Sequence, residues 1–236
     1  MKKFEKQLNQ FDICLNEEQK MQFQKYFELL IEWNKVMNLT AITEREEVNE
    51  KHFVDSLAIA KDLDMNNVKQ VIDIGTGAGF PGIPLKIAFP HLEIALLDSL
   101  QKRVKFLNEV IFKLQLKKIC VFHGRAEDYA RKEEHREKYD LCVSRAVANL
   151  ASLSEYCIPY VKVDGKFVAY KSGMIDEEVE KSLRAIQILG GKVEKIEKFE
   201  LPDSDIGRAF VYIKKVKNTS KKYPRKAGIP AKDPLL

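Results

Sequence analysis

A glycine-rich turn after a short apolar run is the feature of this chain that most restricts its fold. The run and the turn form the segment Val71–Leu85, VIDIGTGAGFPGIPL. Its glycines are Gly75, Gly77, Gly79 and Gly82. Such a pattern predicts a buried strand that leads into a helix, with a turn whose backbone can approach a ligand closely. Asp73 lies inside the apolar run, so any ligand proposed for the turn must tolerate a nearby acid.

The chain beyond residue 66 alternates between strand-like and helix-like segments. The strand-like runs are Gln70–Ile74, Glu93–Leu97, Ile119–Phe122, Tyr139–Val143, Gly165–Tyr170, Lys192–Glu200 and Arg208–Lys215. The helical segments are Ile83–Phe89, Leu100–Leu114, Ala126–Glu134, Leu150–Val161 and Asp176–Leu189. This order predicts an α/β fold with a mainly parallel seven-stranded sheet, helices on both faces and a closing antiparallel pair. Ligands bind at the carboxyl ends of the strands in such sheets, which is where the glycine turn lies.

The first 65 residues have a helical pattern. Asn16 and Gln19 have the spacing of a capping box, and a second helix is predicted to open with Thr43 and Glu46. Apolar and aromatic residues recur between these positions at helical spacing, which is typical of a core-facing stripe. We therefore expect a helical extension over residues 1–65, a core over residues 66–215 and a basic tail over residues 216–236.

The net charge of +5 is unevenly distributed along the chain. Residues 214–236 contain eight basic residues and one acidic residue and so carry +7, which leaves −2 for residues 1–213. A basic end of this kind favours a polyanionic partner, although a solubilising end explains the same composition. Arg225 and Lys226 are the predicted phosphate contacts, because Pro224 and Pro230 stiffen the chain around them.

The sequence contains neither a long apolar run nor the apolar segment of a signal peptide, so we expect a cytoplasmic protein without membrane contact. The four cysteines include no C-x-x-C pair, and they predict neither a metal site nor a disulfide. Cys120 and Cys142 lie in strand-like runs, where we expect buried, reduced thiols. We also expect a monomer.

Two cofactor classes fit the glycine pattern. Gly77 to Gly82 match G-x-G-x-x-G, and Asp98 follows about 20 residues later, as in a dinucleotide site. A carboxylate at Asp73 would repel a pyrophosphate by about 1 kcal/mol or more. S-adenosyl-L-methionine instead presents a cationic ammonium and sulfonium, whereas Asp98 suits the ribose diol of either cofactor. Glu127, after the third strand, completes an acidic set that favours this cofactor, although Asp73 could be a helix cap and Glu127 a first-turn acid.

The residues after the fourth strand bear on the methyl acceptor. Ser144 and Arg145 stand where exocyclic-amine methyltransferases carry a proline-rich motif and pyrimidine C5 methyltransferases carry a Pro-Cys pair. No general base stands out in the sequence. Guanine N7 needs none, because its lone pair carries no proton and the displacement requires mainly alignment.

Three further residues are candidates for the substrate side of the cleft. His52 and Asp55 lie one helical turn apart and can line it, although a buried, hydrogen-bonded His–Asp pair is the favoured interpretation. Lys171 ends the fifth strand and can approach RNA phosphate, and a solvated lysine explains it equally well.

Several segments together resemble the bacterial 16S rRNA guanine-N7 methyltransferase family, also called glucose-inhibited division protein B. They are HFVDSL from His52, IDIGTGAGFPGIPL, LLDSLQKRVKFLNEV, GRAEDYA, SRAVANL and KKYPRKAGIPAKDPL. The resemblance implies a class I, Rossmann-like methyltransferase that forms N7-methylguanosine in the decoding-region loop of 16S rRNA, free or in the 30S subunit. It implies cofactor contacts from Gly75, Phe80, Ala126, Glu127 and Arg145. The physical argument adds Asp73, Gly77 and Asp98.

Three alternatives remain open at this point. The literal glycine match suits an NAD(P) oxidoreductase, and the basic end suits a non-catalytic RNA-binding assembly factor. A methyltransferase of small molecules or proteins fits the core but leaves the basic end without a purpose.

Overall fold

The computed structural model describes residues 2–145 and 148–235 and contains one seven-stranded sheet. The strands are β1 (Gln70–Ile74), β2 (Glu93–Asp98), β3 (Ile119–His123), β4 (Tyr139–Ser144), β5 (Val161–Ser172), β6 (Gly191–Glu200) and β7 (Gly207–Lys215). Their order is β3-β2-β1-β4-β5-β7-β6. β1 to β5 pair in parallel, and β7 runs antiparallel to both β5 and β6. The predicted sheet and its closing antiparallel pair are confirmed.

Helices cover both faces of this sheet. They are α1 (Lys2–Asn9), α2 (Glu17–Met37), α3 (Arg45–Val48), α4 (Asp55–Leu57), α5 (Gly82–Ala88), α6 (Gln101–Lys113), α7 (Ala126–Tyr129), α8 (Leu150–Cys157), α9 (Asp176–Ile188) and α10 (Ile229–Lys232). A π-helical turn, Asn49–Val54, joins α3 to α4, and 3₁₀ turns span Ala58–Lys61, Met65–Asn67 and Ile158–Tyr160. No helix in the described part of the chain combines the length and apolar character needed to cross a membrane.

Two hydrophobic clusters fill the space between sheet and helices, one on each face. On the first face, the N-terminal helices pack together with α5 and α6 against sheet residues such as Val71. On the second face, α8 and α9 pack against sheet residues such as Ile72, together with Tyr223 from beyond the sheet. β1 is buried on both sides, as expected of a central parallel strand. Neighbouring residues of β1 therefore belong to different clusters.

Strand order reverses between β1 and β4, which are neighbours in the sheet although two strands separate them in the chain. The connections after β1 and β4 consequently leave the sheet in opposite directions and open a crevice at their carboxyl ends. The glycine turn follows β1, and Arg145 follows β4, so both lie at this crevice.

Helix α2 holds the glycine turn from the N-terminal side. The predicted capping box is confirmed, because the Asn16 side chain accepts from the Gln19 amide and the Gln19 side chain accepts from the Asn16 amide. The buried Tyr26 then donates its hydroxyl proton to the carbonyl of Ala78 within the turn. Gly79 lies so close that a Cβ there would stand 2.8 Å from the Tyr26 hydroxyl. The helical extension is thus packed directly on the turn.

The residues beyond β7 are also folded onto the body. We refer to residues 216–235 as the C-terminal segment. Thr219 and Tyr223 are buried, and Lys215, which ends β7, donates to Thr219 Oγ1 and lies 3.0 Å from the Glu137 carboxylate. Burial lowers the pKa of this lysine to about 8. The segment therefore contacts the body through specific polar groups.

Four local expectations differ from the structure. The helix from Ala126 ends at Tyr129, and the helix from Leu150 gives way to a 3₁₀ turn because β5 already begins at Val161. α3 follows Glu44 without a side-chain cap, so Thr43 does not open this helix. Cys120 is exposed because β3 is the edge strand, whereas Cys142 in the central β4 is buried.

The Tyr26 contact predicts a measurable loss of stability. Tyr26→Phe leaves the Ala78 carbonyl without its buried donor, and we expect the free energy of unfolding to fall by about 1–3 kcal/mol. Urea denaturation measures this change. Tyr129→Phe is the matched control, because the Tyr129 hydroxyl has no hydrogen bond within the described residues and its ring contacts are retained. Equal losses in both variants would contradict the role assigned to Tyr26.

Candidate functional site

Asp73 connects the end of β1 to the glycine turn and to α5. Its Oδ2 accepts from the Thr76 hydroxyl at 2.7 Å and from the Gly82 amide at 2.8 Å. The residue is fully buried, and burial raises its pKa to about 7 although both hydrogen bonds oppose the shift. Its Oδ1 is buried and has no hydrogen-bond partner among the described residues. The helix-cap alternative is thus realised by one oxygen, and the other is a buried acceptor without a partner in the described part of the chain.

The glycines of the turn differ in how closely other atoms approach them. Gly75 and Gly77 have φ of +69° and +61°, and a Cβ at Gly75 would meet nothing within 4 Å. Their left-handed conformation favours glycine, and the open space in front of Gly75 leaves the backbone accessible. Gly82 is packed instead, since a Cβ there would lie 2.9 Å from Asp73 Oδ2. The first part of the turn can therefore form a cradle, and its last part is close-packed.

A cavity of about 200 Å³ opens at the carboxyl ends of β1, β2 and β3, and we call it the turn-side cavity. Four residues that the sequence predicts to contact the cofactor line this cavity: Gly75, Asp98, Ala126 and Glu127. Asp98 Oδ2 accepts from the Gly77 amide at 2.9 Å, so the second acid also orders the turn. The predicted acids after β1, β2 and β3 are thus close to one another, with Asp73 behind the turn and the other two on the wall.

A second cavity, of about 530 Å³, lies at the ends of β4 and β5 and at the start of β7, and we call it the helix-side cavity. His52, Asp55, Arg145 and Lys171 line it together with Arg208. Arg145 lines this cavity and Ala148 lines the turn-side one, so the loop after β4 separates them. Ala146 and Val147, which belong to the SRAVANL segment, lie outside the described residues.

Asp55 lies between two arginines in the helix-side cavity. Arg145 Nη1 donates to Asp55 Oδ2 at 2.7 Å, and Arg208 Nε donates to Oδ1 at 2.8 Å. The favoured His–Asp pair is wrong as a direct contact, because Arg145 binds the carboxylate and also lies 3.3 Å from His52 Nδ1. The partner of the Asp55 carboxylate is therefore the guanidinium of Arg145 and not the imidazole of His52.

His52 connects the helix-side cavity to the glycine turn. Its ring stacks on Phe80 with centroids 4.6 Å apart, and the Arg145 guanidinium lies over the same Phe80 ring at 4.9 Å. His52 Nε2 lies 2.7 Å from the Thr40 hydroxyl. Burial and then the neighbouring Arg145 lower the pKa of His52 to about 4, so the imidazole is neutral at physiological pH. Phe80 itself is buried beneath these groups and not on the wall of either cavity.

Lys171 is not the solvated lysine considered from the sequence. Its ammonium donates to the Ala148 carbonyl and to Glu178 Oε1, each at 2.7 Å, and its side chain is 9% exposed. Glu178 Oε1 also accepts from the Leu150 amide. The lysine thus fastens the loop after β4 to helix α9.

Arg225 differs from the expectation of a side chain held ready for phosphate. Its guanidinium forms hydrogen bonds to both oxygens of Glu155, and Nη1 lies 3.1 Å from Asp233. Lys226, the other predicted phosphate contact, is exposed. Two of the three guanidinium nitrogens of Arg225, Nε and Nη2, are thus committed to a buried carboxylate, and Nη1 lies beside the exposed Asp233.

Sequence reasoning missed Arg208, Glu178 and Tyr26. Arg208 could have been found, because the first residues of an antiparallel strand lie at the same sheet edge as the last residues of its parallel neighbours. Glu178 and Tyr26 carry no such signal, since each lies within an ordinary helical pattern and reaches the site only through tertiary packing.

The residues of the turn-side cavity fit an adenosyl cofactor with a cationic amino-acid end. Gly75 leaves open space beside the turn, and Asp98 ends β2 where a ribose diol is expected. The unpartnered Oδ1 of Asp73 supplies an acceptor that a donor cation would satisfy. The buried, unpaired acid makes the same place unfavourable for a pyrophosphate.

Solved structures with similar folds are S-adenosylmethionine-dependent methyltransferases. An O-methyltransferase of this class from Thermotoga maritima superposes with a TM-score of 0.54 at 19% identity, covering 80% of this chain and 72% of that one. TYW2 from M. jannaschii, solved with AdoMet, superposes with a TM-score of 0.51 at 14% identity, covering 63% of this chain and 70% of that one. At such identities the likeness supports the Rossmann-like fold alone.

The sequence relatives are much more similar. Ribosomal RNA small subunit methyltransferase G of Lachnoclostridium phytofermentans is 56% identical over 97% of this chain and 95% of its own length. The protein of the same name from Desulforamulus reducens is 56% identical over 96% and 94%, and that from Clostridium botulinum (strain Loch Maree / Type A3) is 55% identical over 96% and 95%. Relatives of this similarity exclude the oxidoreductase alternative, and the predicted methyltransferase cofactor, S-adenosylmethionine, is confirmed by the family. The model of the rRNA small subunit methyltransferase G (GidB) family matches residues 19–211, and the chain belongs to this family.

Proposed function

We propose that the protein methylates N7 of a guanine in the decoding-region loop of 16S rRNA. We further propose that it acts in the cytoplasm as a monomer, on free rRNA or on the 30S subunit. Its membership of the small subunit methyltransferase G family supplies the rRNA substrate class. The choice of N7 rests on the chemistry of the helix-side cavity.

The observation that carries the proposal is the state of the acid–base groups in that cavity. Asp55 is held by two arginines, Glu178 by Lys171 and an amide, and His52 by Thr40 and Arg145. No described residue that lines the cavity is therefore a carboxylate or imidazole placed free to take a proton from an acceptor. Such a cavity suits a nucleophile that has no proton to lose, and guanine N7 is one.

The turn-side cavity is the proposed cofactor site. S-adenosylmethionine, when bound, supplies a methyl group on a cationic sulfur. Asp73, Gly75, Gly77, Asp98, Ala126 and Glu127 are proposed to hold it, with the Asp73 carboxylate attracting its cationic end. Arg145, on the wall of the helix-side cavity, is proposed to orient the cofactor and the base together, and the buried Phe80 ring is proposed to support its guanidinium from beneath.

The helix-side cavity is the proposed place of the target nucleotide. Its arginines and Lys171 give it the positive potential that a nucleotide phosphate requires. The His52 ring, which lines the cavity and is stacked on the buried Phe80, offers an aromatic group beside the nucleotide. Lys226, on the exposed side of the C-terminal segment, remains the proposed contact for more distant phosphates.

Analysis of the modified nucleoside tests the proposal directly. Small-subunit rRNA from cells that lack the protein is incubated with the purified enzyme and S-adenosylmethionine, digested and analysed by mass spectrometry. We expect one new 7-methylguanosine, located by fragment mapping in the decoding-region loop. A methyl group on an exocyclic amine, a ribose or a pyrimidine would contradict the assignment of N7.

The ionisation of Asp73 predicts a pH-dependent affinity for the cofactor. Its carboxyl group, with a pKa of about 7, loses its negative charge as the pH falls through that value. We expect the Kd of S-adenosylhomocysteine to rise about tenfold from about pH 8 to about pH 6. Isothermal titration calorimetry measures it.

Asp73→Asn supplies the control for this dependence. Asparagine keeps an oxygen for Thr76 and Gly82 but places an amide where the unpartnered oxygen lies. This variant should bind weakly at every pH. Adenosine, which lacks the ammonium group, should show no such dependence on the parent protein. Equal pH dependence for both ligands would refute the role of Asp73.

A substitution at Arg208 tests the assignment of the helix-side cavity. Arg208→Gln removes a cation from the wall, while Arg145 still neutralises Asp55. We expect KM for rRNA to rise at least about threefold, with the Kd of S-adenosylhomocysteine unchanged.

Lys195→Gln is the control for Arg208→Gln. It also removes a cation from an ion pair, with Asp62 at 2.9 Å, but Lys195 does not line the cavity. An equal rise of KM in Lys195→Gln would show that the loss of any cation weakens RNA binding. That result would contradict the assignment of the helix-side cavity to the target nucleotide.

A further inference from the structure

The C-terminal segment is fastened to α8 by a buried ion pair. Glu155 of α8 is fully buried, and Arg225 donates to it from Nε at 3.0 Å and from Nη2 at 2.8 Å. The Arg225 amide adds a third donor at 2.6 Å. A buried carboxylate without these donors would be strongly destabilising, so the position of the segment is specified.

Further contacts hold the segment on either side of this pair. Arg136 donates to the backbone carbonyls of Thr219 and Tyr223, and the Ser152 hydroxyl of α8 donates to the Pro230 carbonyl at 2.6 Å. Pro230 belongs to α10, which follows directly after Gly228. Residues 224–230 are thus held between two attachment points.

Gly228 lies between these attachment points and contacts a residue in the wall of the turn-side cavity. Its amide donates to Glu127 Oε1 at 2.9 Å. Glu127 is buried and lines that cavity, so the amide fixes a carboxylate in the cavity wall. Gly228 has φ +84° and ψ −16°, the left-handed conformation that glycine and, less readily, asparagine adopt. A Cβ at this position would meet nothing within 4 Å, so the conformation and the amide, rather than a lack of space, are what the contact requires.

We propose that Gly228 is a positioning residue for cofactor binding: its amide holds Glu127 in the wall of the turn-side cavity, and the Arg225–Glu155 pair and the Ser152–Pro230 bond hold Gly228 in place. The C-terminal segment is then part of the cofactor site in addition to any contact that its exposed lysines make with RNA. This inference rests on the proposed contact between Glu127 and the cofactor. The variant Glu127→Ala tests that contact separately, because its affinity for S-adenosylhomocysteine falls only if Glu127 itself contributes to binding.

Two substitutions at Gly228 test the proposal in the full chain. Gly228→Pro removes the amide proton and cannot adopt a positive φ. Gly228→Asn keeps the amide and tolerates the left-handed conformation. We expect the Kd of S-adenosylhomocysteine, measured by calorimetry, to rise about tenfold or more in the proline variant and to stay within about twofold of the parent in the asparagine variant. The affinity of the proline variant for adenosine should fall by the same factor, because Glu127 lies on the β3 side of the cavity.

A second pair of variants tests the attachment without touching Gly228. Ser152→Ala removes the bond to Pro230, whereas Ser154→Ala on the same helix removes a buried hydroxyl that has no partner among the described residues. We expect the Kd to rise about threefold in the first variant and to remain unchanged in the second. If Gly228→Pro does not fold, the comparison of Ser152→Ala with Ser154→Ala tests the proposed role of Gly228 in its place.

Three results would overturn the proposal. One is an unchanged Kd in a folded Gly228→Pro protein, and another is an equal loss in Gly228→Asn. The third is an equal effect of the two serine substitutions. A weaker affinity for rRNA with unchanged affinity for S-adenosylhomocysteine would assign the segment to RNA alone. If Glu127→Ala binds S-adenosylhomocysteine as tightly as the parent does, the proposed contact between Glu127 and the cofactor is refuted. The Gly228 variants are then expected to bind with the affinity of the parent as well.

Discussion

The site depends on one buried carboxylate. Asp73 is the penultimate residue of β1 and holds the Thr76 hydroxyl and the Gly82 amide with a single oxygen, so it fixes both the glycine turn and the start of α5. Its second oxygen has no partner among the described residues, and burial raises the pKa of the group. The arrangement is unfavourable in isolation. A cationic ligand at the turn would relieve it, which links the architecture of the turn to the chemistry of the cofactor.

Segments from both faces of the sheet support the site. Helix α2 approaches from the first face, where Tyr26 binds the Ala78 carbonyl and Phe80 lies between Tyr26 and His52. The C-terminal segment approaches from the second face and reaches Glu127. The parallel sheet supplies the crevice, but segments distant in sequence complete its walls. The two cavities therefore differ: α7 and α8 complete the wall of one, and residues of the N-terminal extension complete the wall of the other.

The sequence was informative where the relevant forces are local. The alternation of apolar runs located every strand, and the glycine pattern with Asp73 and Asp98 indicated the cofactor class before any contact was known. The sequence did not reveal which side chains from distant parts of the chain pair in the folded structure. The charge of Asp55 did not reveal that arginines from two distant strand ends would bind it in place of His52. Arg225 likewise resembled a free cation in a basic run, because its partner Glu155 lies 70 residues earlier in an unremarkable helix. Cys120 was misplaced because composition does not reveal which strand is at the edge.

The contact between Gly228 and Glu127 spans 101 residues of chain, and this separation has a consequence for biosynthesis. Glu127 emerges from the ribosome long before the amide that holds it. A nascent polypeptide can therefore assemble β1 to β5 while one wall of its nucleoside pocket is still unsupported. If Gly228 has the proposed role, the chain would acquire full affinity for its methyl donor only at a late stage of its own translation.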